Sequence, residues 1–294
     1  MNRLLLYFLE AEAPAKRLAH ALDVEAAPIE IHHFPDGESL VTLPETMPES
    51  VLIYQSLNRP NEKLVELLLA AGGARKLGAR KIVFIAPYLA YMRQDKAFCP
   101  GQVVSQEVMG HFLSGLFDAI LTVDAHLHRV RDIESVFPDS KAINLTSAEL
   151  TAEFIKENYP ADPLLLGPDE ESLQWVKKIA DLTGCDYGTG KKVRFGDMQV
   201  KIELPPISLG NKDVILIDDM VSTGYTLATA AQCLRDNGAR SVDCIITHPL
   251  FTRGALTLLR KSGIRRVVST DTVVHSTNRI FMAPILASGL AELL

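Results

Sequence analysis

The segment VILIDDMVSTGYTL, residues 214–227, begins with an apolar run, continues with two adjacent aspartates and ends in a hydroxyl-rich loop before a helical pattern. A short apolar run of this kind is typical of a buried parallel strand, here 214–217. In open α/β sheets, ligands bind beyond the carboxyl ends of the strands, and a helix that starts there presents unpaired backbone N–H groups. The segment therefore predicts an α/β fold with a phosphate-binding loop after this strand.

The loop and the two aspartates suit different parts of one ligand. Gly224 permits a close backbone approach to a phosphate, and the neighbouring serine and threonines supply hydroxyl donors. The aspartates would repel a phosphate, but they can accept hydrogen bonds from the hydroxyls of an attached sugar. The simpler alternative is a solvent-exposed strand end followed by an ordinary helix N-cap. The predicted sugar-phosphate site consists of Asp218, Asp219, Ser222, Thr223, Gly224, Tyr225 and Thr226.

Apolar runs and helical periodicity alternate along the rest of the chain. This alternation predicts the α/β class, with parallel sheets that carry helices on both faces. Strands are expected at 3–8, 51–55, 81–86, 119–123, 164–166, 214–217, 242–247 and 266–269. Helices are expected at 61–77, 104–117, 171–183 and 226–237.

The chain also resembles itself, which indicates an internal duplication of one α/β unit, although chance similarity among α/β segments is the alternative. Three pairs of segments align without a gap: 51–64 with 214–227, 78–85 with 238–245, and 117–124 with 264–271.

The two halves differ at the loop. Where the second half has Asp218-Asp219 and Thr223-Gly224, the first half has Gln55-Ser56 and Pro60-Asn61. Because the first half lacks both the acids and the glycine, we expect only the second half to bind the sugar phosphate.

Composition narrows the class of protein. The 294 residues are 47% hydrophobic, enough for a substantial core in one large or two ordinary domains. The net charge of −6 argues against a surface that coats nucleic acid. The wide spacing of the cysteines argues against a disulfide framework or a zinc site. No apolar stretch approaches the roughly 18 residues that a membrane-spanning helix needs. A first β-strand explains the apolar start of the chain better than a signal peptide does. We expect a soluble cytoplasmic protein that binds neither nucleic acid nor membrane.

The segment 214–226 resembles the ribose-5-phosphate loop of type I phosphoribosyltransferases and of PRPP synthetases. Further segments are similar to PRPP synthetases in particular, and they follow that family's order and spacing from about residue 30 to the end. A simple phosphoribosyltransferase would leave the first-half segments unused. The segments are HHFPDGESLVTLPE (32–45), PYLAYMRQDKAF (87–98), TVDAHLHRV (122–130), LLLGPDEES (164–172) and HPLFTRGALTLLRKSGIRRVVSTDTV (248–273).

The resemblance implies two duplicated phosphoribosyltransferase-like domains, each a mostly parallel sheet flanked by helices. The expected boundaries are 1–145 for the first domain, which carries the ATP-binding segments, and 146–278 for the second, which carries the loop. We expect the largely apolar tail 279–294 to pack back onto the first domain. The family also implies a homo-oligomer built on dimers, and a dimer and a hexamer both remain open.

The chain has no Walker A motif, so ATP binding must rest on other residues. The resemblance assigns it to the segments around PDGE and RQDK. An aromatic ring can stack on a purine, carboxylates can accept from its amino group, and an arginine fork can bind phosphate oxygens. Taken alone, PDGE is more typical of an ordinary turn. The expected ATP-binding residues are Phe34, Asp36, Gly37, Glu38, Arg93, Gln94, Asp95 and Lys96.

Mg²⁺ is implied by the same chemistry, because it is commonly held by few protein groups together with phosphate oxygens and water. By resemblance, His126 and Asp169 hold the metal directly or through water, and Asp124 orients His126. His128 competes for this role, and a structural histidine at a strand end is the simpler alternative. The D-x-H spacing favours His126.

The segment GTGKKVRFGDMQVKI, residues 188–202, is glycine-rich, basic and weakly periodic, which predicts a flexible loop. A mobile cationic loop can close over the ATP phosphates and neutralise the charge that develops in phosphoryl transfer. The family's catalytic K-x-R falls on Lys192 and Arg194, and Lys191 could replace Lys192. A solvent-exposed basic hairpin is the alternative.

Two departures from the family pattern bear on the site. Glu171 and Ser172 stand where the family usually has small residues after Asp169. The carboxylate of Glu171 would add a negative charge near a phosphate site. Tyr225 stands where the family usually has glycine, and its side chain could narrow the pocket.

Together, these residues predict a ribose-phosphate diphosphokinase. It would transfer the pyrophosphoryl group of Mg-ATP to the C1 hydroxyl of ribose 5-phosphate and give PRPP and AMP. No general base is evident, so catalysis would depend on positioning and electrostatics. The alternatives are a phosphoribosyltransferase that consumes PRPP and a catalytically weak regulatory homologue.

Overall fold

The chain folds into two compact units. Unit 1 comprises residues 1–146, 272–274 and 282–294, and unit 2 comprises residues 147–271 and 275–281. Within the described part of the chain, no helix is both long and apolar enough to cross a membrane. The computed structural model describes residues 2–127, 130, 132–195, 199–203 and 209–294, with the backbone alone for 192–195 and 199–203.

Unit 1 contains a seven-stranded sheet. Its strands are β1 (Arg3–Phe8), β2 (Glu25–His33), β3 (Ser39–Thr42), β4 (Ser50–Tyr54), β5 (Lys81–Ala86), β6 (Ala119–Val123) and β7 (Lys141–Leu145). They lie in the order β3-β2-β1-β4-β5-β6-β7, and all neighbours are parallel except β2 and β3, which form an antiparallel hairpin. Its first three helices are α1 (Glu12–Leu22), α2 (Pro60–Lys76) and α3 (Ser105–Ser114).

Unit 2 contains a six-stranded parallel sheet and a separate hairpin. Its strands are β8 (Leu164–Gly167), β9 (Tyr187–Thr189), β10 (Lys191–Phe195), β11 (Gln199–Glu203), β12 (Asp213–Val221), β13 (Ser241–Pro249), β14 (Ile264–Thr270) and β15 (Asn278–Ile280). The sheet order is β15-β14-β13-β12-β8-β9, and β10 pairs with β11 in the antiparallel hairpin. Its helices are α4 (Ala148–Asn158), α5 (Leu173–Thr183), α6 (Tyr225–Asp236) and α7 (Ala255–Lys261).

The two sheets share one strand order. The series β2-β1-β4-β5-β6-β7 in unit 1 corresponds to β9-β8-β12-β13-β14-β15 in unit 2. In both units, the first strand along the chain lies inside the sheet. Strand β1 lies between β2 and β4, and strand β8 lies between β9 and β12. This shared order supports the internal duplication, and two mostly parallel sheets flanked by helices confirm the predicted α/β class.

The cores form because apolar strands are covered on both faces. Strands β5, β6 and β13 are buried along nearly their whole length, as is typical of parallel sheets between helix layers. The last helix, α8 (Ala283–Leu293), returns to unit 1. A methyl group added to its Gly289 would lie 2.9 Å from Leu145 and 3.1 Å from Leu121. The absence of a side chain at Gly289 therefore allows α8 to pack closely on β6 and β7.

Two expectations about local structure need correction. Strand β12 runs from Asp213 to Val221, so Asp218 and Asp219 lie within the strand rather than after it. The reason is that β13 continues to pair with β12 as far as Val221, which lies opposite Pro249. The basic segment predicted as a flexible loop contains the β10–β11 hairpin.

Candidate functional site

The loop between β12 and α6 has the geometry of an anion site. Gly224 has a positive φ of 80° and is the N-cap of α6, which begins at Tyr225. No side chain that the structure describes caps this helix by a hydrogen bond, and the positive end of the helix dipole faces the loop. Ser222 and Thr226 are half-buried, and Thr223 is exposed. The predicted phosphate-binding residues therefore lie together at one helix N-terminus.

Two residues outside the predicted site support this loop. Thr252 donates its backbone N–H to the carbonyl oxygen of Ser222 at 2.9 Å, and its hydroxyl lies 3.3 Å from the same oxygen. Leu259 of α7 packs against Gly224, where an added methyl group would lie 3.2 Å from its side chain. The sequence gives no local signal for either contact, because both partners are distant along the chain.

The two aspartates of β12 lie near a third acid that follows β8. Asp218 is half-buried and Asp219 is buried, and the Asp219 N–H donates to Asp218 Oδ1 at 3.1 Å. Burial raises the pKa of Asp218 well above its usual range, and repulsion from the Asp219 and Asp169 carboxylates raises it further. The three acids therefore make a negative spot beside the loop, which favours a cation or the hydroxyl donors of a sugar.

These acids fit a magnesium ion shared with a ligand better than one held by protein alone. Among the residues that the structure describes, no group of three or more histidine, cysteine, aspartate or glutamate side chains is arranged to hold a metal. Mg²⁺ usually takes one or two carboxylates together with water and substrate phosphates. Asp169 of unit 2 suits this role because its carboxylate acts on that of Asp218. The other predicted ligand, His126, belongs to unit 1.

The residues that depart from the family pattern, at 171–172 and at 225, do not close loop 222–226. Glu171 is exposed, whereas Ser172 is buried and its hydroxyl donates to the Asp169 carbonyl oxygen at 2.5 Å. A methyl group on Gly167 would lie 2.1 Å from that hydroxyl, so the turn is tightly packed. The side chain of Tyr225 is 68% exposed and stands in solvent rather than filling the loop.

In unit 1, PDGE forms the tip of the β2–β3 hairpin. The Phe34 N–H donates to the Glu38 carbonyl at 2.8 Å, and the Gly37 N–H donates to the Phe34 carbonyl at 2.9 Å. Gly37 has the positive φ of 95° that this turn requires, and Asp36 accepts the Glu38 N–H at 3.2 Å. The Phe34 ring is 41% exposed, with His32 edge-on at 4.8 Å. The turn is therefore an ordinary one that presents an accessible aromatic ring.

RQDK follows β5 in a loop of the same unit. Arg93 and Lys96 are exposed, and Gln94 and Asp95 are half-buried. The Ser105 hydroxyl donates to Gln94 Oε1 at 2.8 Å, which leaves the donor role to the Gln94 amide nitrogen. The arrangement suits a ligand with phosphate oxygens, because it presents cations and an amide donor on one short segment.

Asp124 and His126 follow β6. Asp124 is buried and has a positive φ of 40°, which is uncommon for a residue with a side chain. Its N–H donates to the Leu145 carbonyl at 2.8 Å, and the next N–H donates to Asn144 Oδ1 at 2.9 Å. These bonds to β7 fix the backbone just before His126, which is half-buried. His128 lies outside the described residues.

The predicted catalytic cations belong to strand β10. Lys192 is paired with Ile202, and Arg194 with Val200. The side chains of Lys192 and Arg194 lie outside the described residues, so their catalytic role stays a prediction. Lys191, the alternative lysine, begins the strand and is exposed.

In unit 1, the position that corresponds to the loop is closed by Lys63. Its buried ammonium group donates to the Ser56 carbonyl at 2.9 Å and to Asn58 Oδ1 at 2.8 Å, and it forms an ion pair with Glu10. A cation bonded within the protein thus lies where unit 2 offers a loop and a helix N-terminus. This contrast supports the expectation that only the second half binds the sugar phosphate.

Two family models match the chain in sequence. The model described as the N-terminal domain of ribose phosphate pyrophosphokinase matches residues 5–116, and the model of the phosphoribosyl transferase domain matches residues 138–281. Together they span most of the chain.

Individual relatives extend the similarity over nearly the whole length. A ribose-phosphate pyrophosphokinase of Methanopyrus kandleri is 35% identical over 280 residues, with 95% of each protein covered. One from Saccharolobus solfataricus is 35% identical over 261 residues, with 87% of this chain and 88% of that protein covered. The crystal structure of phosphoribosylpyrophosphate synthetase from Mycobacterium smegmatis matches at 26% identity with a TM-score of 0.84, over 100% of this chain and 99% of that one.

Proposed function

The chain belongs to the ribose-phosphate pyrophosphokinase family, and on this premise we propose that it transfers the pyrophosphoryl group of Mg-ATP to the C1 hydroxyl of ribose 5-phosphate. The products are PRPP and AMP. The observation that carries the proposal is the pairing, in unit 2, of an anion-binding loop with a cluster of acids. The loop suits the 5-phosphate, and the acids suit the ribose hydroxyls and a magnesium ion.

Ribose 5-phosphate binds at the start of α6. The backbone N–H groups and the hydroxyls of loop 222–226 donate to the phosphate oxygens, and Gly224 allows the close approach. Asp218 and Asp219 accept hydrogen bonds from the ribose hydroxyls. The support from Thr252 keeps the loop in this shape before the substrate arrives, which limits the entropy lost on binding.

ATP binds through unit 1. Phe34 stacks on the adenine, and Asp36 and Glu38 accept from its amino group. The phosphates are held by the segment Arg93, Gln94, Asp95 and Lys96. The exposed ring of Phe34 and the exposed cations of RQDK support this assignment. Magnesium held by Asp169 and His126 together with the ATP phosphates would supply charge neutralisation at the phosphoryl oxygens.

The transfer is a direct displacement at the β-phosphorus of ATP. The C1 oxygen forms a bond to this phosphorus while the bond from it to the oxygen bridging the α-phosphate breaks. AMP leaves with that oxygen and the electron pair, and the hydroxyl proton passes to solvent. No protein residue forms a covalent intermediate. Lys192 and Arg194 neutralise the charge that spreads over the transferred group, and the reaction depends on positioning and electrostatics.

We further infer a homo-oligomer built on dimers, either a dimer or a hexamer. Helix α2 leaves Val65, Leu68 and Leu69 exposed, and Leu9 and Leu40 of the same unit are exposed as well. Several exposed apolar side chains in one unit are typical of a surface that another subunit covers. A mass of the 32.3 kDa chain alone in light scattering would contradict this inference. The four free cysteines support a reducing cytoplasmic location.

The test of the activity is AMP release from ATP, with and without ribose 5-phosphate and magnesium. We expect AMP and PRPP to form only when ATP, ribose 5-phosphate and magnesium are all present. Comparison of the rate with other nucleoside triphosphates in place of ATP identifies the preferred pyrophosphoryl donor. Consumption of PRPP with a base, without AMP release, would identify a phosphoribosyltransferase instead. Binding of both substrates without turnover would identify a regulatory homologue.

Asp219→Asn tests the assignment of the acids, because it removes the charge and keeps the size of the side chain. We expect it to abolish most AMP release. Glu170→Gln is the matched control, since Glu170 is exposed and directly follows Asp169. Its activity should equal that of the unaltered chain.

A further inference from the structure

A cleft of about 460 Å³ lies in unit 2, at the edge of the sheet opposite to loop 222–226. Strand β12 connects the two edges, because it begins at Asp213 in the cleft and ends at Val221 beside the loop. No residue of the cleft belongs to the proposed active site. The cleft, called the arginine pocket below, is lined by Asn158, Tyr159, Pro160, Ala161, Asp213, Arg240, Arg265 and Arg266.

The strand topology assembles this pocket from distant parts of the sequence. Strands β12, β13 and β14 are parallel neighbours, so their amino ends meet at one edge of the sheet. Asp213 is the first residue of β12, Arg240 directly precedes β13, and Arg265 is the second residue of β14. Tyr159, at the carboxyl end of α4, completes the pocket.

The acid at the base of the pocket has its hydrogen-bonding capacity filled. Asp243 is 1% exposed and has five donors around its carboxylate, against about four lone-pair directions. The donors are Arg265 Nε (2.9 Å) and Nη2 (2.8 Å), the Arg266 backbone N–H (3.0 Å) and Nε (2.9 Å), and the Tyr159 hydroxyl (2.8 Å).

The second acid is also engaged. Asp213 accepts two bonds from Arg240, at 2.9 Å and 2.6 Å, and one from the Ser241 hydroxyl at 2.6 Å. The guanidinium group of Arg240 and the Ser241 hydroxyl lower the pKa of Asp213 to about 2, so the acid is ionised at neutral pH. The Asp243 carboxylate is therefore filled, and Asp213, with three bonds against about four lone-pair directions, can accept at most one of the remaining donors.

The arginines keep donors that no described group accepts. Each guanidinium group has five N–H bonds. Within the described ranges, Nη1 of Arg240, Nη1 of Arg265 and both terminal nitrogens of Arg266 make no hydrogen bond. The three side chains are 51%, 50% and 42% exposed, so a ligand can reach them. Three arginines against two aspartates leave the pocket positive on a chain of net charge −6.

Repulsion inside the pocket favours a bound anion. Asp213 raises the pKa of Arg240, whereas the charge of Arg265 acts in the opposite direction, because the two guanidinium groups lie near each other. Arg266 is held in place on the ring of Tyr159, with its guanidinium carbon 4.4 Å from the ring centroid. An anion among these groups would accept the spare N–H donors and relieve the repulsion.

From this geometry we propose that the arginine pocket binds an oxyanion of the phosphate class. A tetrahedral oxyanion matches the fork of N–H donors that arginine presents, and such bonds are charge-assisted. The pocket is larger than a single phosphate, so it also admits the phosphate group of a small ester. It is a second anion site, independent of the loop that holds ribose 5-phosphate.

Calorimetry on the full chain tests this proposal. Inorganic phosphate is titrated into protein free of ribose 5-phosphate, at low salt, and the titration is repeated with glycerol 3-phosphate. Binding to loop 222–226 contributes equally in every variant, because the altered arginines of the pocket lie at the opposite edge of the sheet. Arg266→Gln and Arg240→Gln should each weaken the binding by about tenfold or more, as expected for losing a charge-assisted hydrogen bond. Arg260→Gln is the matched control, because it removes one exposed positive charge from the same unit and should change the affinity less than about twofold.

The outcomes separate the proposal from its alternatives. Binding of both probes identifies the oxyanion itself as the ligand, and binding of glycerol 3-phosphate alone identifies an ester. Affinity that is equal in all three variants, or no binding of either probe to the unaltered chain, would overturn the proposal. Arg266→Lys controls for misfolding of the glutamine variant. It keeps the positive charge but loses the forked N–H donors of arginine, so it should weaken binding by less than Arg266→Gln. The readout needs no turnover, so it holds even if the proposed activity fails.

Discussion

The backbone N–H of Thr252 lies 2.9 Å from the carbonyl oxygen of Ser222, and the Thr252 hydroxyl lies 3.3 Å from the same oxygen. Thr252 follows β13, and Ser222 follows β12. The loop proposed to bind the 5-phosphate is therefore fixed from the neighbouring strand connection, by a residue that the motif itself does not include. The shape of the loop depends on contacts that do not involve the substrate.

Thr252→Pro removes the N–H of this bond. Loss of one backbone hydrogen bond that preorganises the loop should raise the KM for ribose 5-phosphate by about five- to tenfold. The kcat should change less, because the groups that act on the transferred phosphoryl lie elsewhere. Steady-state kinetics with varied ribose 5-phosphate measure both quantities.

Thr252→Ala is the control for this change. It keeps the N–H and loses only the weaker hydroxyl contact, so its KM should rise by no more than about twofold. Equal KM values for the proline and alanine variants would show that the backbone bond does not position the loop.

Gly224→Ala tests the close approach in the loop. At φ 80° an alanine is strained, and its methyl group would meet Leu259 at 3.2 Å. We expect a loss of about 1–3 kcal/mol in the free energy of unfolding and a higher KM for ribose 5-phosphate. Urea denaturation and kinetics measure the two effects.

Gly238→Ala separates strain from contact. Gly238 has a similar φ of 90°, but nothing lies within 4 Å of an added methyl group. Its substitution should cost only about 1 kcal/mol and leave the KM unchanged. If both variants lose the same stability, Leu259 plays no part in restricting position 224.

Lys192→Ala tests the catalytic role proposed for the β10–β11 hairpin. Removal of a cation that stabilises the transition state should lower kcat by about 10³–10⁵-fold, by analogy with an arginine finger. Substrate binding measured by calorimetry should change little. Lys191→Ala, a change of the same kind one residue earlier, should lower kcat by less than about tenfold. Near-normal turnover of the Lys192 variant would contradict the assignment.

Asp213→Asn tests the ion pair at the amino end of β12. The pKa of Asp213 is lowered from 3.8 to about 2 in the folded protein, chiefly by its bond to Arg240. A lowered pKa in the folded state means that the ionised form stabilises the fold above pH 3.8, and that this contribution is lost as pH falls towards about 2.

The asparagine variant should therefore be less stable than the unaltered chain by about 1–2 kcal/mol at neutral pH. The difference should shrink as the pH is lowered from about 4 towards about 2. Urea denaturation over this range measures it. Asp181→Asn, which breaks the surface pair with Lys177, should leave stability unchanged at every pH, because exposed pairs contribute little. A difference for Asp213→Asn that does not depend on pH would show that the ion pair is not its cause.

The elements that were predicted correctly are those with a strong local pattern. Strands β1, β5 and β6 are continuous apolar runs, α6 has helical periodicity, and α2 is rich in the strong helix formers leucine, alanine, glutamate and lysine. Their bounds therefore agree with the structure to about a residue. The hairpin β2–β3 and strand β7 contain few buried residues, and their pairing depends on neighbours distant in sequence. Strand β12 extends beyond its apolar run 214–217, because the neighbouring strand β13 pairs with it as far as Val221.

For the candidate site, the motif gives the residue types but not their surroundings. Exposure of Tyr225 shows that its ring does not fill the loop, and burial of Ser172 explains a small residue there. Thr252 and Leu259 carry no motif signal, because they act by packing and by a backbone bond that any residue except proline can make.

The sequence by itself determined the α/β class, the loop after β12 and the family of the chain, because these depend on local apolar patterns and on motifs in order. Only the tertiary structure decided which charges meet. Asp243 contacts Arg265, Arg266 and Tyr159, whose positions follow from strands that are parallel neighbours and from the end of α4. Strand order is set by burial of whole sheet faces, a long-range effect, so the arginine pocket has no signature in any single stretch of the chain.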